Sequence, residues 1–236
     1  MTRISIATIA LAFLTCGLAG CGQEQPPAEV IEEPPPAASP ATKAPASERP
    51  KREPASTDEQ APPKYTVKLE TTEGEVLIDV HREWAPRGAD RFYTLVKAGF
   101  YDGSAFFRVL DGFMAQTGLN ADPALTRQWR DRRIEDDPPT QSNQRGTCSF
   151  ATSGKDSRTT QFFINFGDNG KLDGMGFAPF GKVRDMTAVD KLHSGYGEGF
   201  PKGNGPSQKK IHMQGNAYLK AEFPDLDYIE SARIVE

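Results

Sequence analysis

One arginine stands out in the middle of an apolar stretch of the chain. Arg108 follows Phe106-Phe107 and precedes Val109-Leu110. A guanidinium carries five N–H donors and keeps its charge in proteins. Because a buried charge without a partner is strongly unfavourable, Arg108 must lie in a cleft or bind an opposing group. The chemistry that such a residue supports is hydrogen-bond donation to a polar atom held in a dry pocket.

The other reactive residue types show no arrangement that predicts chemistry. His81, His193 and His212 have no close metal-ligand spacing. Cys148 lies in an apolar run with no base near it in sequence, which favours a buried thiol over a nucleophile. We therefore expect neither a metal nor a cofactor.

The charge balance argues against nucleic acid as a partner. The formal net charge is −4, whereas a nucleic-acid-binding domain usually presents a strongly basic surface. The arginines around Trp129 are followed at once by Glu135, Asp136 and Asp137, so we interpret this stretch as a solvated loop. The glycines between Gly195 and Gly205 lack the strand and helix that flank a phosphate loop, and they predict a flexible loop near a groove.

The first 20 residues predict a secretory signal. Arg3 precedes an apolar run that is too short to span a bilayer as a mature helix. The run ends in Leu18-Ala19-Gly20-Cys21, which resembles the bacterial lipobox, in which the cysteine is lipidated and becomes the first residue of the mature protein. An ordinary signal peptide with an incidental cysteine is the alternative.

Residues 21–64 predict a disordered tether, because they are rich in Pro, Ala and Glu and contain no aromatic residue before Tyr65. Lipid chains on Cys21 would give stable membrane attachment. Gly22 stands where an aspartate would favour retention in the inner membrane. We expect an outer-membrane anchor facing the periplasm, given a Gram-negative source.

Regular structure is predicted from Tyr65, so that residues 65–236 form one domain. Apolar residues alternate on both sides of Thr72-Glu73-Gly74, which predicts a β-hairpin. An amphipathic helix is predicted to begin at Pro86 and to end at Gly99.

The rest of the domain is predicted to be mainly β. Short apolar runs separated by Gly and Asp predict antiparallel strands, and the last strand runs through Ile234 after a short helical turn. Asp185 is a good cap for a second helix over Met186 to His193. We expect a closed antiparallel β-barrel of about eight strands with two flanking α-helices.

Several motifs around Arg108 occur in the order and at the spacings of a known family. Between Tyr65 and Ser194 the chain resembles the cyclophilins, which are peptidyl-prolyl cis/trans isomerases. The motifs that carry the resemblance are Gly99-Phe100-Tyr101-Asp102-Gly103, Phe106-Phe107-Arg108-Val109, Gly112-Phe113-Met114-Ala115-Gln116, Gly146-Thr147-Cys148-Ser149-Phe150-Ala151, Gln161-Phe162-Phe163-Ile164, Leu172-Asp173-Gly174 and Phe180-Gly181-Lys182-Val183.

The resemblance implies a catalytic group and a peptide-binding groove. Arg108, Gln116 and Phe113 would be the catalytic residues. Gln116 would hold the arginine, and apolar side chains would receive the proline ring. The implied substrate-binding residues are Met114, Ala151, Thr152, Gln161, Phe163, Leu172 and Phe177.

The implied reaction suits these residue types. Amide resonance gives an X-Pro bond a rotation barrier of about 18–20 kcal/mol. A guanidinium that donates to the prolyl nitrogen binds the twisted state more strongly than the planar one, as catalysis requires. We expect a monomeric enzyme that acts on proline-containing segments of exported proteins.

Three positions depart from the family pattern. Phe107 stands where a histidine is common, Thr152 where an asparagine is common, and Lys171 where cyclosporin-sensitive members have a tryptophan. The segment Met175 to Pro179 is one residue longer than the eukaryotic pattern. We expect weak cyclosporin binding and an altered substrate preference.

Two other functions fit the same sequence. A tethered chaperone could bind proline-containing peptides in this pocket with little turnover, and a scaffold could use the domain in an envelope assembly. The presence of both Arg108 and Gln116 favours the enzyme.

Overall fold

The computed structural model describes residues 58–235. The predicted signal peptide, Cys21 and most of the predicted tether lie outside these residues. No helix within 58–235 is long and apolar enough to cross a membrane.

The described part of the chain is mainly β, with nine strands and four α-helices. The strands are β1 (Lys64–Thr71), β2 (Gly74–His81), β3 (Ser104–Ala105), β4 (Arg108–Leu110), β5 (Met114–Thr117), β6 (Thr147–Phe150), β7 (Phe162–Asn165), β8 (Pro179–Val183) and β9 (Tyr228–Ile234). The helices are α1 (Pro86–Lys97), α2 (Pro123–Trp129), α3 (Gln208–Gln214) and α4 (Asn216–Glu222).

All nine strands belong to one curled antiparallel sheet, in the order β3-β9-β1-β2-β8-β6-β7-β5-β4. Its end strands are β3 and β4, and no ladder joins these two among residues 58–235. A mainly antiparallel β fold is confirmed, whereas closure of the barrel stays a prediction.

The predicted hairpin is confirmed by the pairing of β1 with β2 from Lys64↔His81 to Thr71↔Gly74. Gly74 closes the turn with φ +123, a backbone conformation that favours glycine. The two strands bury alternate residues such as Val67, Leu69 and Ile78, as the period-2 pattern predicts.

The predicted first helix is confirmed as α1. Pro86 occupies its first turn, and Gly99 follows its end with φ +64. Its buried face centres on Phe92, which is fully buried and lies 4.9 Å from the ring of Phe180 and 5.2 Å from that of Phe162. The helix therefore anchors the strands that carry the candidate site.

The predicted helix over Met186 to His193 is wrong, because only Val189–Lys191 form a short 3₁₀ turn. Asp185 does accept the backbone N–H of Thr187 at 2.9 Å. Leu192 then adopts an extended backbone with ψ 131, and the N–H of His193 donates to Asp227 at 2.7 Å. Leu192 is buried in the core, so tertiary contacts end the helix after one turn.

Segment 58–64 packs against α1, although the sequence pattern assigns it to the tether. The Asp58 carboxylate accepts from Arg91 Nε at 2.8 Å, and Ala61 is 4% exposed. The N–H of Glu59 donates to Thr94 Oγ1 at 2.8 Å. The folded contacts therefore begin at least seven residues before Tyr65.

Candidate functional site

The site is built on three neighbouring strands. Arg108 of β4 is paired with Gln116 of β5, and Gln116 is paired with Phe163 of β7. Residues paired in this way project from the same face of a sheet. The sheet register therefore places Arg108 and Gln116 beside Phe163, which is more than 40 residues further along the chain.

Apolar side chains line the cavity beside Arg108. Met114, Phe163 and Leu172 are 2%, 4% and 5% exposed and form a cluster separate from the main core. Leu172 comes from a 3₁₀ turn, Gly170–Met175. Phe113 and Phe177 pack on this cluster, and the Phe177 ring lies edge-on to Phe163 at 5.6 Å.

The cavity has a volume of about 400 Å³. Its lining includes every predicted catalytic and substrate-binding residue except Gln161: Arg108, Phe113, Met114, Gln116, Ala151, Thr152, Phe163, Leu172 and Phe177. An apolar wall beside a charged donor suits a small apolar ring that bears a polar atom.

A chain of hydrogen bonds runs along the groove from Arg108. Its Nη1 donates to Gln116 Oε1 at 3.1 Å, and Gln116 Nε2 donates to Gln161 Oε1 at 2.8 Å. Gln116 is 7% exposed, so its amide is held in one orientation by these two partners. This arrangement fixes one side of the guanidinium.

Comparison with known proteins identifies the family. Residues 66–215 match the family model described as cyclophilin type peptidyl-prolyl cis-trans isomerase/CLD. The peptidyl-prolyl cis-trans isomerase A of Dickeya dadantii (strain 3937) is 37% identical over 139 residues, which is 53% of this chain and 70% of that protein. A peptidyl-prolyl cis-trans isomerase-like 3 of Mus musculus is 35% identical over 135 residues, which is 54% of this chain and 81% of that protein.

The chain belongs to the cyclophilin family. It is a peptidyl-prolyl cis/trans isomerase by this membership, which confirms the family and the reaction expected from the motifs.

Solved cyclophilins share the fold. A cyclophilin-type isomerase of Cryptosporidium parvum matches with a TM-score of 0.55 and 22% identity, over 73% of this chain and 98% of that chain. A second structure of that protein, in the presence of the dipeptide Ala-Pro, matches with a TM-score of 0.54 and 22% identity, over 72% of this chain and 99% of that chain. At this identity the likeness concerns the fold alone.

Two of the departures from the cyclophilin pattern have distinct surroundings. Phe107 is 2% exposed and packs in a second apolar cluster with residues such as Leu119 and Ile211, outside the cavity. Lys171 is exposed, and its Nζ lies 5.4 Å from the centre of the Phe113 ring. A cation therefore lies beside one of the apolar side chains of the cavity.

The wall of the cavity beyond Arg108 was expected only as a flexible loop near a groove, with none of its residues assigned to the site. It comes from the glycine-rich loop and the start of α3: Glu198, Gly199, Phe200, Pro201, Lys202, Pro206 and Gln208. Glu198 accepts from both Nε and Nη2 of Arg108 at 2.7 Å. The Arg108 guanidinium, through these hydrogen bonds, lowers the pKa of the Glu198 carboxyl below its usual range. No local pattern marks Glu198, because its partner is distant in sequence.

A second cavity of about 320 Å³ adjoins the first and shares Gln116, Ala151 and Thr152 with it. Gln161 lies here. The charged residues in its described lining are Arg130 and Arg133, and His212 also lines it. Burial, and then the charge of Arg130, lower the pKa of His212. The interpretation of this stretch as a solvated loop is wrong in part. Arg127 and Trp129 belong to α2 and Trp129 is 3% exposed, whereas Arg130 and Arg133 line this cavity.

Residues 58–235 contain no cluster of three or more His, Cys, Asp or Glu side chains that could hold a metal ion. Cys148 is free and fully buried, and burial raises the pKa of its thiol. The buried-thiol interpretation of Cys148 is therefore confirmed.

Proposed function

We propose that this cyclophilin isomerises X-Pro bonds in exported proteins and that Arg108 is the group that stabilises the twisted peptide bond. The observation that carries the proposal is that the Arg108 guanidinium lines the same cavity as the apolar cluster of Met114, Phe163 and Leu172. A proline ring fits such a wall, and its nitrogen is then within the reach of a charged donor.

The chemistry needs no bond to be made or broken. As the X-Pro bond twists, the prolyl nitrogen becomes pyramidal and recovers a lone pair, which accepts a hydrogen bond from Arg108. This bond is stronger in the twisted state than in the planar state, so it lowers the barrier. An acceleration of 10⁵ requires about 7 kcal/mol of selective stabilisation.

Gln116 has two tasks in this mechanism. Its side-chain oxygen accepts from Arg108, and its amide nitrogen donates to Gln161 at the start of the adjoining cavity. The pair would orient the guanidinium and contact the substrate backbone. Ala151 and Thr152, which line both cavities, would contact the peptide where it passes from one cavity to the other.

The proposed catalytic role is tested by Arg108→Ala in an isomerisation assay on a short proline peptide. We expect kcat/KM to fall by a factor of 100 or more while the fold, measured by circular dichroism, is retained. A variant as active as the parent would refute the role of Arg108. A parent that binds the peptide with no rate enhancement would instead support the tethered chaperone.

The proposed location is the cell envelope, with Cys21 lipidated and the domain facing the periplasm. The support is the ending Leu18-Ala19-Gly20-Cys21 after an apolar run. Mass analysis of the mature N-terminus tests this location. A diacylated or triacylated Cys21 is expected, and a mature chain cleaved elsewhere would contradict it.

A further inference from the structure

Glu198 and Arg108 form an ion pair with two parallel hydrogen bonds. Arg108 Nε donates to Oε1 and Nη2 donates to Oε2, each at 2.7 Å. A fork of this kind is the most directional contact between a guanidinium and a carboxylate. The two residues are 90 positions apart, so the fold, rather than a local turn, creates the pair.

The loop that carries Glu198 is closed on itself. The N–H of Gly199 donates to Glu198 Oε1 at 3.0 Å, and the N–H of Gly205 donates to the Glu198 carbonyl at 2.9 Å. The N–H of Phe200 in turn donates to the Gly205 carbonyl at 3.1 Å. The backbone of this loop therefore fixes where the Glu198 carboxylate can lie.

The guanidinium of Arg108 is held from two sides. Glu198 accepts hydrogen bonds from Nε and from one N–H of Nη2, and Gln116 accepts one from Nη1. A guanidinium has five N–H groups, so one N–H on each Nη atom lies outside these contacts. The second Nη1 hydrogen has only Met114 Sδ, a weak acceptor, at 3.7 Å. The contacts orient Arg108 without using all of its donors.

The pocket needs a counter-charge that its ligand does not provide. An X-Pro peptide bond is neutral, and a proline ring that fills the cavity removes water from Arg108, whose side chain is already only 22% exposed. A charge that loses water without a partner is strongly disfavoured. Glu198 supplies the partner before the ligand arrives.

We propose that Glu198 is a positioning residue: it holds the Arg108 guanidinium by its Nε edge and balances its charge when substrate excludes water. The inference rests on the proposed role of Arg108. It assigns a function to the glycine-rich loop, which motif comparison alone did not connect with the reaction.

The test is Glu198→Gln, which keeps the size of the side chain but removes its charge and one of its two acceptor oxygens. We expect kcat/KM to fall about tenfold, mostly through kcat, with KM nearly unchanged, because Glu198 is proposed to act through the Arg108 guanidinium and not through binding of the neutral substrate. The matched control is Glu222→Gln, which breaks an exposed pair with Lys210 Nζ at 3.1 Å on α4 and should leave kcat/KM unchanged.

A double-mutant cycle separates positioning from a general structural effect. Since Glu198 acts through Arg108, Glu198→Gln should cause no further loss in an Arg108→Ala background. Independent, additive losses would overturn the inference. So would a Glu198→Gln variant with unchanged or increased kcat/KM, and an increase would show that Glu198 shields Arg108 from substrate.

A failure of the positioning role of Glu198 can be distinguished from a failure of the proposed role of Arg108. If Arg108→Ala is as active as the parent, the role of Arg108 itself is refuted; if only Glu198→Gln is as active, the positioning role alone is refuted.

The parent protein gives a second measurement that does not depend on how the variant folds. The Nε–H of Arg108 should exchange with solvent more slowly than that of the exposed Arg127, and equal exchange rates would contradict the pair.

Discussion

Arg108 and Gln116 face each other across the β4–β5 ladder, and Arg108 Nη1 donates to Gln116 Oε1 at 3.1 Å. The same Gln116 donates to Gln161 at 2.8 Å, so one amide connects the charged donor with the adjoining groove. The orientation of the guanidinium thus depends on a residue fixed by sheet register.

Removing the Gln116 amide should weaken catalysis. In Gln116→Ala, one side of the guanidinium loses its acceptor and Gln161 loses its donor, so we expect kcat/KM to fall about tenfold, which corresponds to about 1.4 kcal/mol. The isomerisation assay measures the effect. Gln128→Ala, at an exposed position of α2, is the control and should match the parent. A Gln116→Ala variant with full activity would show that Glu198 alone is sufficient to orient Arg108.

Cyclosporin should bind weakly. Lys171 occupies the position at which cyclosporin-sensitive relatives, by the motif resemblance, carry a tryptophan, and its ammonium lies 5.4 Å from the Phe113 ring centre. Lys171→Trp should increase cyclosporin affinity by at least tenfold in a fluorescence or calorimetric titration, because a large apolar surface replaces a hydrated charge. Lys191→Trp, at an exposed site on the 3₁₀ turn, should leave the affinity unchanged. Tight binding by the parent would contradict the prediction.

Substrates with an acidic residue near the proline should be favoured. Arg130 and Arg133 line the adjoining cavity, and no acidic side chain belongs to its described lining. An exposed ion pair contributes roughly 0.2–1 kcal/mol, so we expect a two- to fivefold higher kcat/KM for a glutamate peptide than for its lysine counterpart.

Salt and substitution provide the checks on this charge preference. The preference should decline as ionic strength rises, since exposed charges are screened. It should disappear in the double variant Arg130→Gln, Arg133→Gln, whereas Arg127→Gln on α2 should retain it. Equal rates for both peptides at low salt would contradict the role of the basic cavity.

Much of this site was predictable from the sequence because its residues lie in short motifs with strict local spacing. Phe113, Met114 and Gln116 belong to one motif of the cyclophilin resemblance, and Met114 and Gln116 share a face of the sheet because they lie two residues apart on β5. The hairpin of β1 and β2 and the helix α1 were likewise predictable, since hydrophobic period and the flanking Pro86 and Gly99 carry the signal.

The features that the sequence did not reveal depend on distant contacts. Nothing in the sequence around Glu198 distinguishes it from other loop glutamates, because its partner Arg108 is 90 residues away. The helix expected over Met186 to His193 had a suitable cap and a suitable apolar face. However, the burial of Leu192 and the hydrogen bond from His193 to Asp227 favour an extended backbone after the 3₁₀ turn. Local propensity is a weak prior where tertiary contacts oppose it.

Cys148 should be unreactive in the native protein. It is fully buried in β6, and burial raises the pKa of its thiol, so the thiolate is scarce at pH 8 and the reagent has no access. We expect no labelling by a thiol reagent such as DTNB under native conditions and complete labelling in denaturant. Replacing Cys16 and Cys21 by serine leaves Cys148 as the single cysteine and also removes the proposed lipidation site, so this purified variant isolates the thiol. Rapid native labelling would contradict its burial.

The N-terminal edge of the domain should contribute to stability through Asp58. Its carboxylate pairs with Arg91, whose side chain is 5% exposed and also donates to the carbonyls of Arg132 and Thr159 at 2.6 and 2.9 Å. In Asp58→Ala the buried guanidinium of Arg91 keeps its hydrogen bonds to these carbonyls but loses its counter-charge. We expect the free energy of unfolding to fall by about 1–3 kcal/mol, measured by urea denaturation.

The neighbouring residue provides the comparison for this stability effect. Glu59 pairs with Lys97 at 2.7 Å, but both side chains are about half exposed, so Glu59→Ala should change the free energy of unfolding by no more than about 0.5 kcal/mol. The backbone N–H of residue 59 can still donate to Thr94 in that variant. Equal effects of the two substitutions would mean that Asp58 is not part of the packed domain, and the folded unit would then begin where β1 begins. A larger effect for Asp58 follows directly from the burial of its partner.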